Sequence, residues 1–475
     1  MRPDRLPVEG TGSLADTVLV SNRGPLAFRM EEGRPVAGPV GGGLAGSLHP
    51  MVVGTGATWV ACALGEADRA AASAGLMLDD GLAIELVEPE PELYAMAYNV
   101  VANATLWFCH HHLFDPARRP RGDRRWWEAW EAYRELNGLF AAKVAKVAPE
   151  GGRVLVQDYH LALMGSALNR LRPDLRTVHF THTPFADPSV LAMLPTAVGT
   201  ELLSGLAGFG ACGFHTERWA AAFAHGLRRF GPEGSRDGLA CRTFVSPLST
   251  DPGRLRASAA HPAVGAAWSD LEERIGGPER QVIVRVDRME LSKNLLRGFW
   301  AFEELLETQP HRRERVVFVA LAYPTRQGLP EYLAYQNEVE SVVERINQRW
   351  GTPGWTPVVL EVEDDYHRSL AALTHYDVLL VNPVRDGLNL VAKEGPLVNT
   401  RHGVLALSRE AGAYDELGPA ALEVNPFDVA GTADVLATAL DMGAAERQAR
   451  SERLTALVLA RRPEDWLADQ LDAAR

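Results

Sequence analysis

From Asp377 to Gly395 the chain reads DVLLVNPVRDGLNLVAKEG. Its apolar run does not alternate with polar residues, so it reads as a strand buried on both faces, which Asn382 and Pro383 bring to a stop. A turn follows with Asp386 and Gly387 at its tip, and from Asn389 onward the sequence can enter a helix. A fully buried strand followed at once by a helix belongs in a parallel sheet covered on both sides, which confines the chain to the α/β class. The unpaired amides and positive dipole end of such a helix suit an anion, a diphosphate first among them. Glu394 lies far enough along to meet the hydroxyls of an attached ribose. The stretch alone is equally compatible with an ordinary loop and a solvated acid.

At 475 residues the chain exceeds one ordinary core and predicts two domains. A net charge of -13 argues against nucleic acid as a partner, because that partner needs a positive surface, and any anion site must therefore be local. The four cysteines are scattered singly without metal spacing, as expected of buried small hydrophobes in a reducing compartment. The first residues lack the apolar core of a secretory signal, and no apolar run reaches membrane-spanning length. The expectation is a cytoplasmic protein with no membrane partner and small-molecule substrates; homo-oligomerisation is left open.

Taken in order, several buried runs end in polar loops. Thr17 to Val20 leads into Ser21-Asn22-Arg23-Gly24-Pro25, which puts Arg23 at the carboxyl edge of a sheet as a candidate phosphate clamp. The loop Gly41-Gly42-Gly43 permits close backbone approach to a ligand and equally suits a plain turn. His110, His111 and His112 are adjacent, so they diverge on any regular element, which weighs against a metal. The run Arg118 to Arg125 reads as a solvated basic turn, and Trp126 to Val147 as an amphipathic helix with Trp127, Trp130, Tyr133, Leu136 and Phe140 in the core. Arg153 to Val156 delivers Gln157-Asp158-Tyr159-His160, and Thr177 to Phe180 delivers Thr181-His182; an acid and an imidazole at neighbouring strand ends suggest the floor of a cleft. A turn cluster from Val245 to Gly253 marks a domain boundary. Beyond it, Gln281 to Val286 leads to Arg288 and Lys293, the natural counter-charges for a diphosphate. Later come Arg326, and Glu363-Asp364-Asp365, read as a helix cap ahead of Tyr366. The predicted architecture is two doubly wound sheets facing across a cleft, with domains 1–248 and 249–455 and a terminal helix in 456–475 returning to the first.

Ser21-Asn-Arg-Gly-Pro, Gly42-Gly-Leu, Tyr98 to Trp107, Asp158-Tyr-His-Leu, His182-Thr-Pro-Phe, Gly213-Phe-His-Thr, Asp287-Arg288 with Ser292-Lys293, and Arg385 to Glu394 together resemble the trehalose-6-phosphate synthase family, in order and along nearly the whole chain. The resemblance implies a retaining, metal-independent glycosyltransferase of GT-B architecture that needs no cofactor beyond its nucleotide donor. It places Arg288, Lys293 and the amides around Leu390 and Val391 on the donor diphosphate, with Gly42, Gly43, Gly387, Leu388 and Asn389 lining the donor site. It puts Glu394 on the ribose, and His182 and Asp386 on the transferred ring. Arg23, Tyr98, Trp107 and Arg326 then clamp the acceptor's phosphate, and Asp158 orients its nucleophile.

Departures from the family pattern sit in the same pocket: Gln157 where His is usual, Glu290-Leu-Ser-Lys-Asn294 for Asp-Tyr-Ser-Lys-Gly, Leu388 for Met, and Pro247-Leu-Ser249 for Pro-Ile-Gly. This combination is similar to the pseudo-glycosyltransferase branch of validamycin biosynthesis. That likeness implies GDP-valienol as donor and validamine 7-phosphate as acceptor, joined through nitrogen with retention, with Tyr366 near the guanine. The alternative expectation is transfer of glucose from a nucleotide to glucose 6-phosphate.

Overall fold

The run TVLV forms strand β1 (Thr17–Val20), buried at every residue. Around it the first sheet assembles from β4 (Thr58–Cys62), β5 (Leu78–Asp79), β6 (Leu82–Val87), β7 (Arg153–Gln157), β8 (Arg176–Thr181), β9 (Ala211–Phe214) and β10 (Arg242–Val245), while β2 (Phe28–Glu31) and β3 (Arg34–Ala37) pair only as an antiparallel hairpin. The computed structural model describes residues 13–38, 44–75, 78–79, 81–232 and 241–475. In space the large sheet runs β10-β9-β8-β7-β1-β4-β6-β5, parallel throughout apart from β5. From β1 the chain builds outward to β4 and β6, then restarts on the other side at β7. The loops after β1 and β7 therefore diverge and open a crevice, where open α/β sheets bind ligands.

The second sheet comprises β11 (Gln281–Arg288), β12 (Val316–Tyr323), β13 (Val358–Glu361), β14 (Val378–Val381), β15 (Val404–Ser408) and β16 (Leu422–Val424). Its order is β13-β12-β11-β14-β15-β16, with every pairing parallel, so its switch point lies between β11 and β14. Both faces are covered: every residue of β12 except Tyr323 is buried, and each buried Val, Leu or Phe contributes about 1.5–3 kcal/mol. Two doubly wound, Rossmann-like sheets are thus present. The chain divides into two units, one of Met1–Leu248 with Pro463–Arg475 and one of Ser249–Arg462.

Helix α1 (Arg124–Val147) starts at Asp123, whose carboxylate accepts from the Trp126 amide at 3.0 Å. Trp127, expected in the core, is only half-buried; Trp126 is buried in its place, because it shares the inward stripe with Trp130 and Tyr133. The Tyr98 to Trp107 stretch is neither strand nor ordinary helix: Met96–Leu106 winds as a π-helix, with the Thr105 hydroxyl donating to the Val100 carbonyl. Such wide turns concentrate at functional sites. In the second unit, α2 (Tyr366–His375) is capped by Asp365 and α3 (Val391–Val398) follows β14. The last helix, α4 (Pro463–Ala473), belongs with the first unit and packs on β7 and β8, burying Trp466 and Gln470. Among the described residues no helix is long and apolar enough to cross a membrane.

Candidate active site

At the second switch point, β11 ends on Arg288 and a single 3-10 turn, Leu291–Lys293, carries the chain back. Lys293 Nζ reaches Asp386 Oδ2 at 2.5 Å, tying the loop after β11 to the loop after β14. Burial opposes a charge on Lys293, but Asp386 and Asp287 outweigh it and hold the ammonium pKa above its ordinary value. Arg288 is held up in the same way, burial working against its charge and Glu290 prevailing. Both cations are thus fixed and permanent.

Glu290 organises this corner. It is fully buried, takes the Ser292 hydroxyl at 2.6 Å, and lies 3.4 Å from Arg288 and 3.0 Å from Arg326. Arg326 also donates to the Tyr332 hydroxyl at 2.9 Å. Expected in the acceptor clamp with Arg23, Tyr98 and Trp107, Arg326 belongs to the second unit, where a neighbouring strand brings it to the carboxylate that serves Arg288. Asn294 adopts a left-handed conformation (φ 60°), and its side chain donates to the carbonyls of Asn382 and Pro426. Asparagine can therefore stand where the resembled family has glycine.

The loop after β14 is pinned by Glu410 to Ala413. The Asp386 amide donates to the Glu410 carbonyl, the Gly412 amide to Asp386, and the Ala413 amide to Leu388. A Cβ on Gly412 would lie 2.0 Å from the Gly387 carbonyl oxygen, so only glycine permits this approach. Leu388 is buried beneath the loop, and the positive φ of the turn is at Asn389 (84°). Asn389 takes the Ala392 amide and donates to Asp386, thereby presenting Leu390 and Val391 at the start of α3, where helices leave N–H groups without intrahelical partners. Glu394 lies in the first turn, and burial lifts its carboxyl to about 7. Tyr366 opens α2 and is exposed.

In the first unit, Arg23 is exposed beyond β1, beside Asn22, whose amide donates to the Tyr94 hydroxyl at 3.0 Å. Tyr94 stacks on Tyr98 at 5.3 Å and Tyr98 on His160 at 5.6 Å, so an aromatic stack joins the loop after β1 to the loop after β7. Trp107 is buried and stacks on His111. Asp158 has φ 72° and ψ 165°, a backbone that costs about 1–3 kcal/mol in a non-glycine residue. Three contacts hold it there: its amide donates to the Phe180 carbonyl at 2.7 Å, its carbonyl meets His179 Nε2 at 3.1 Å, and its carboxylate accepts the His182 amide at 3.2 Å.

His182 has both ring nitrogens engaged, Nε2 with the Gln157 side-chain oxygen at 3.0 Å and Nδ1 with His215 Nε2 at 3.2 Å. Burial, then His215 and His179, keep its pKa well below the ordinary 6.5. The ring is neutral, with no lone pair left over for acid or base chemistry in this arrangement. His110, His111 and His112 point to three separate partners, the Ala186 amide, the Trp107 carbonyl and Asp187. Gly42 and Gly43 lie outside the described residues. Sequence reasoning missed Tyr332 and gave no role to Glu290 or His215, which it noted only within motifs; the excess of cations around Arg288 was the available signal that a buried carboxylate must lie nearby.

Two Rossmann-like units, the second with fixed cations and a helix start at its switch point, define a GT-B glycosyltransferase. The model of glycosyltransferase family 20 matches residues 15–475, and the chain belongs to that family, whose members are retaining glycosyltransferases. It is 32% identical to the trehalose-6-phosphate synthase of Mycolicibacterium smegmatis over 98% of this chain and 93% of that one. An E. coli structure bound with UDP-2-fluoro glucose superposes with a TM-score of 0.82 at 27% identity, covering 97% of this chain and 99% of the other. A UDP-forming alpha,alpha-trehalose-phosphate synthase from Burkholderia xenovorans in complex with glucose-6-phosphate gives 0.81 at 29%, covering 97% and 100%.

These likenesses correct the expectation of a pseudo-glycosyltransferase joining GDP-valienol to validamine 7-phosphate. Full-length relatives carry the name trehalose-6-phosphate synthase, and the superposing structures hold a uridine nucleotide sugar and a hexose phosphate. Two of the pocket departures that prompted the expectation are accommodated without loss of charge or backbone shape. Asn294 adopts a left-handed conformation that glycine takes freely, and Glu290 is a carboxylate, as the aspartate of the family pattern is, and lies between two arginines.

Proposed function

We propose that this protein is an alpha,alpha-trehalose-6-phosphate synthase, transferring glucose from a nucleoside diphosphate to glucose 6-phosphate with retention of configuration. The observation that carries the reading is the Lys293–Asp386 contact beside Arg288, which assembles fixed positive charge at the start of α3. In the transition state a glucosyl cation separates from a departing diphosphate, and preset cations stabilise that separation without reorganising. Arg288, Lys293 and the amides of Leu390 and Val391 take the diphosphate, and Glu394 the ribose. Asp386 and the peptide at His182 border the transferred ring. Arg23, Tyr98, Trp107 and Arg326 hold the acceptor's phosphate, so that its hydroxyl attacks on the face the diphosphate leaves, with Asp158 orienting it. A leaving phosphate oxygen takes the hydroxyl proton, which matches a site whose buried histidine is neutral and engaged.

The test is to offer the purified protein UDP-, ADP- and GDP-glucose with glucose 6-phosphate, following nucleoside diphosphate release and identifying the product by mass and NMR. The expected product is alpha,alpha-trehalose 6-phosphate, with UDP-glucose a good donor. Failure to form any disaccharide phosphate from all three donors would overturn the reading.

A further inference from the structure

A polar chain runs through the interior of the first unit from the Leu248 peptide to helix α4. The Leu248 amide lies 3.4 Å from His215 Nδ1, His215 Nε2 lies 3.2 Å from His182 Nδ1, His182 Nε2 lies 3.0 Å from Gln157 Oε1, and Gln157 Nε2 lies 2.9 Å from Gln470 Oε1. Its first member is a backbone N–H, which can only donate. His215 must then accept at Nδ1 and carry its proton on Nε2. His182 in turn accepts at Nδ1 and carries its proton on Nε2, Gln157 accepts from it, and the Gln157 NH2 donates to Gln470. Reversing any one link sets two donors or two acceptors face to face. The polarity is therefore set from both ends: the Leu248 N–H biases it across 3.4 Å, and Gln470, a fully buried residue whose own Nε2 has no partner among the described residues, takes the Gln157 NH2 at 2.9 Å and so turns the Gln157 oxygen towards His182.

We propose that Gln470 of the terminal helix, acting through Gln157, is a positioning residue for the reaction: it locks His182 in the neutral Nε2–H tautomer and so fixes the peptide whose N–H holds the Asp158 carboxylate. The proposal rests on the synthase reading for its kinetic part only. The link to chemistry is short, because the Asp158 backbone is held out of its preferred region partly by the His182 amide. Elsewhere around the ring lie Phe180 and Trp466, with His179, His215 and Asp158 the titratable neighbours. A proton on His182 Nδ1 would oppose the N–H of His215.

The experiment uses the full-length protein with 15N-labelled histidine, reading the His182 tautomer from long-range proton–nitrogen correlations, assigned by a His182→Gln variant. The wild type is expected to show a neutral Nε2–H ring from pH 5.5 to 8. Gln470→Met, of similar volume but unable to accept, is expected to release a mixture of tautomers and to lower kcat about ten- to a hundredfold, with KM for both substrates changed less than about twofold. Gln470→Glu, kept protonated by burial and still offering a carbonyl oxygen, is expected to restore the single tautomer and most of kcat. An Nδ1–H or doubly protonated His182 in the wild type overturns the proposal, as does Gln470→Met with an unchanged tautomer or unchanged kcat. Should Gln470→Met not fold, the wild-type spectrum together with the tautomer and kcat of Gln470→Glu decides the question. If no donor is turned over even by the wild type, the synthase reading fails, while the spectra still decide the tautomer lock.

Discussion

The Glu290 carboxylate lies 3.0 Å from the Arg326 guanidinium and is closed off from solvent, while the same oxygen faces Arg288 at 3.4 Å. Two cations proposed for different substrates, one for the leaving diphosphate and one for the acceptor's phosphate, therefore lean on a single buried anion. Replacing Glu290 by Gln leaves the shape and removes the charge that offsets them. Losing one partner of such a cluster costs about 3–5 kcal/mol, so a fall in melting temperature of roughly 6–20 °C is expected by calorimetry. Addition of UDP should recover part of the loss, because a bound diphosphate replaces the missing negative charge.

The two cations should separate kinetically. Arg288→Ala is expected to lower kcat on the order of a hundredfold or more, about 3 kcal/mol of barrier, because the charge it meets develops as the diphosphate leaves. Arg326→Ala should instead weaken phosphorylated acceptors more than non-phosphorylated ones in steady-state kinetics. Equal losses for both kinds of acceptor would remove Arg326 from the phosphate clamp.

How far the sequence revealed this arrangement depends on whether a feature is local. β1, β7 and β14 were legible because a strand buried on both faces shows as an unbroken apolar run. β6 was not, since LAIELV interleaves Ala83 and Glu85 with its buried Leu82, Ile84 and Val87. The β2–β3 hairpin escaped because its strands are largely exposed and carry no apolar run. Lys293 and Asp386 could be read as site residues one at a time, but their contact exists only because β11 and β14 are neighbours. The same holds for Gln157 and His182, on β7 and just beyond β8: sequence reasoning paired His182 with Asp158 as an acid and imidazole floor without seeing that Gln157 already occupied the imidazole. Nothing in the composition of Met96–Leu106 distinguishes a π-helix from an α-helix, because the difference lies in how the flanking residues pack.

Glu394 gives the donor site a pH dependence of known sign. Burial raises its carboxyl from 4.5 to about 7, so the folded state holds the proton more tightly than the unfolded chain. Its stabilising contribution is complete below 4.5 and is lost as pH rises through 7. Ribose hydroxyls donate to the ionised form, so UDP affinity should move the other way, strengthening by at most about tenfold between pH 6 and 8. The nucleotide's own phosphate titrates in part of this range. Calorimetric titrations of wild type and Glu394→Gln separate the two: the variant keeps the phosphate contribution and loses the remainder. Identical pH dependences in both proteins would place Glu394 outside the ribose site.

Asp158 offers a test of whether backbone strain is maintained for the sake of its carboxylate. Asp158→Ala and Asp158→Gly remove the same carboxylate and the same acceptor for the His182 amide, so neither should support efficient transfer. They differ in the backbone. At φ 72° and ψ 165° alanine retains the steric penalty, whereas glycine occupies that region freely. The glycine variant is therefore expected to be more stable than the alanine variant by about 1–2 kcal/mol in denaturant titrations, even though glycine has the greater chain entropy when unfolded and at most positions would be the weaker of the two. If alanine were the more stable, the Asp158 backbone would have relaxed out of this conformation once its carboxylate was gone, and the contacts of Phe180 and His179 would not suffice to hold it.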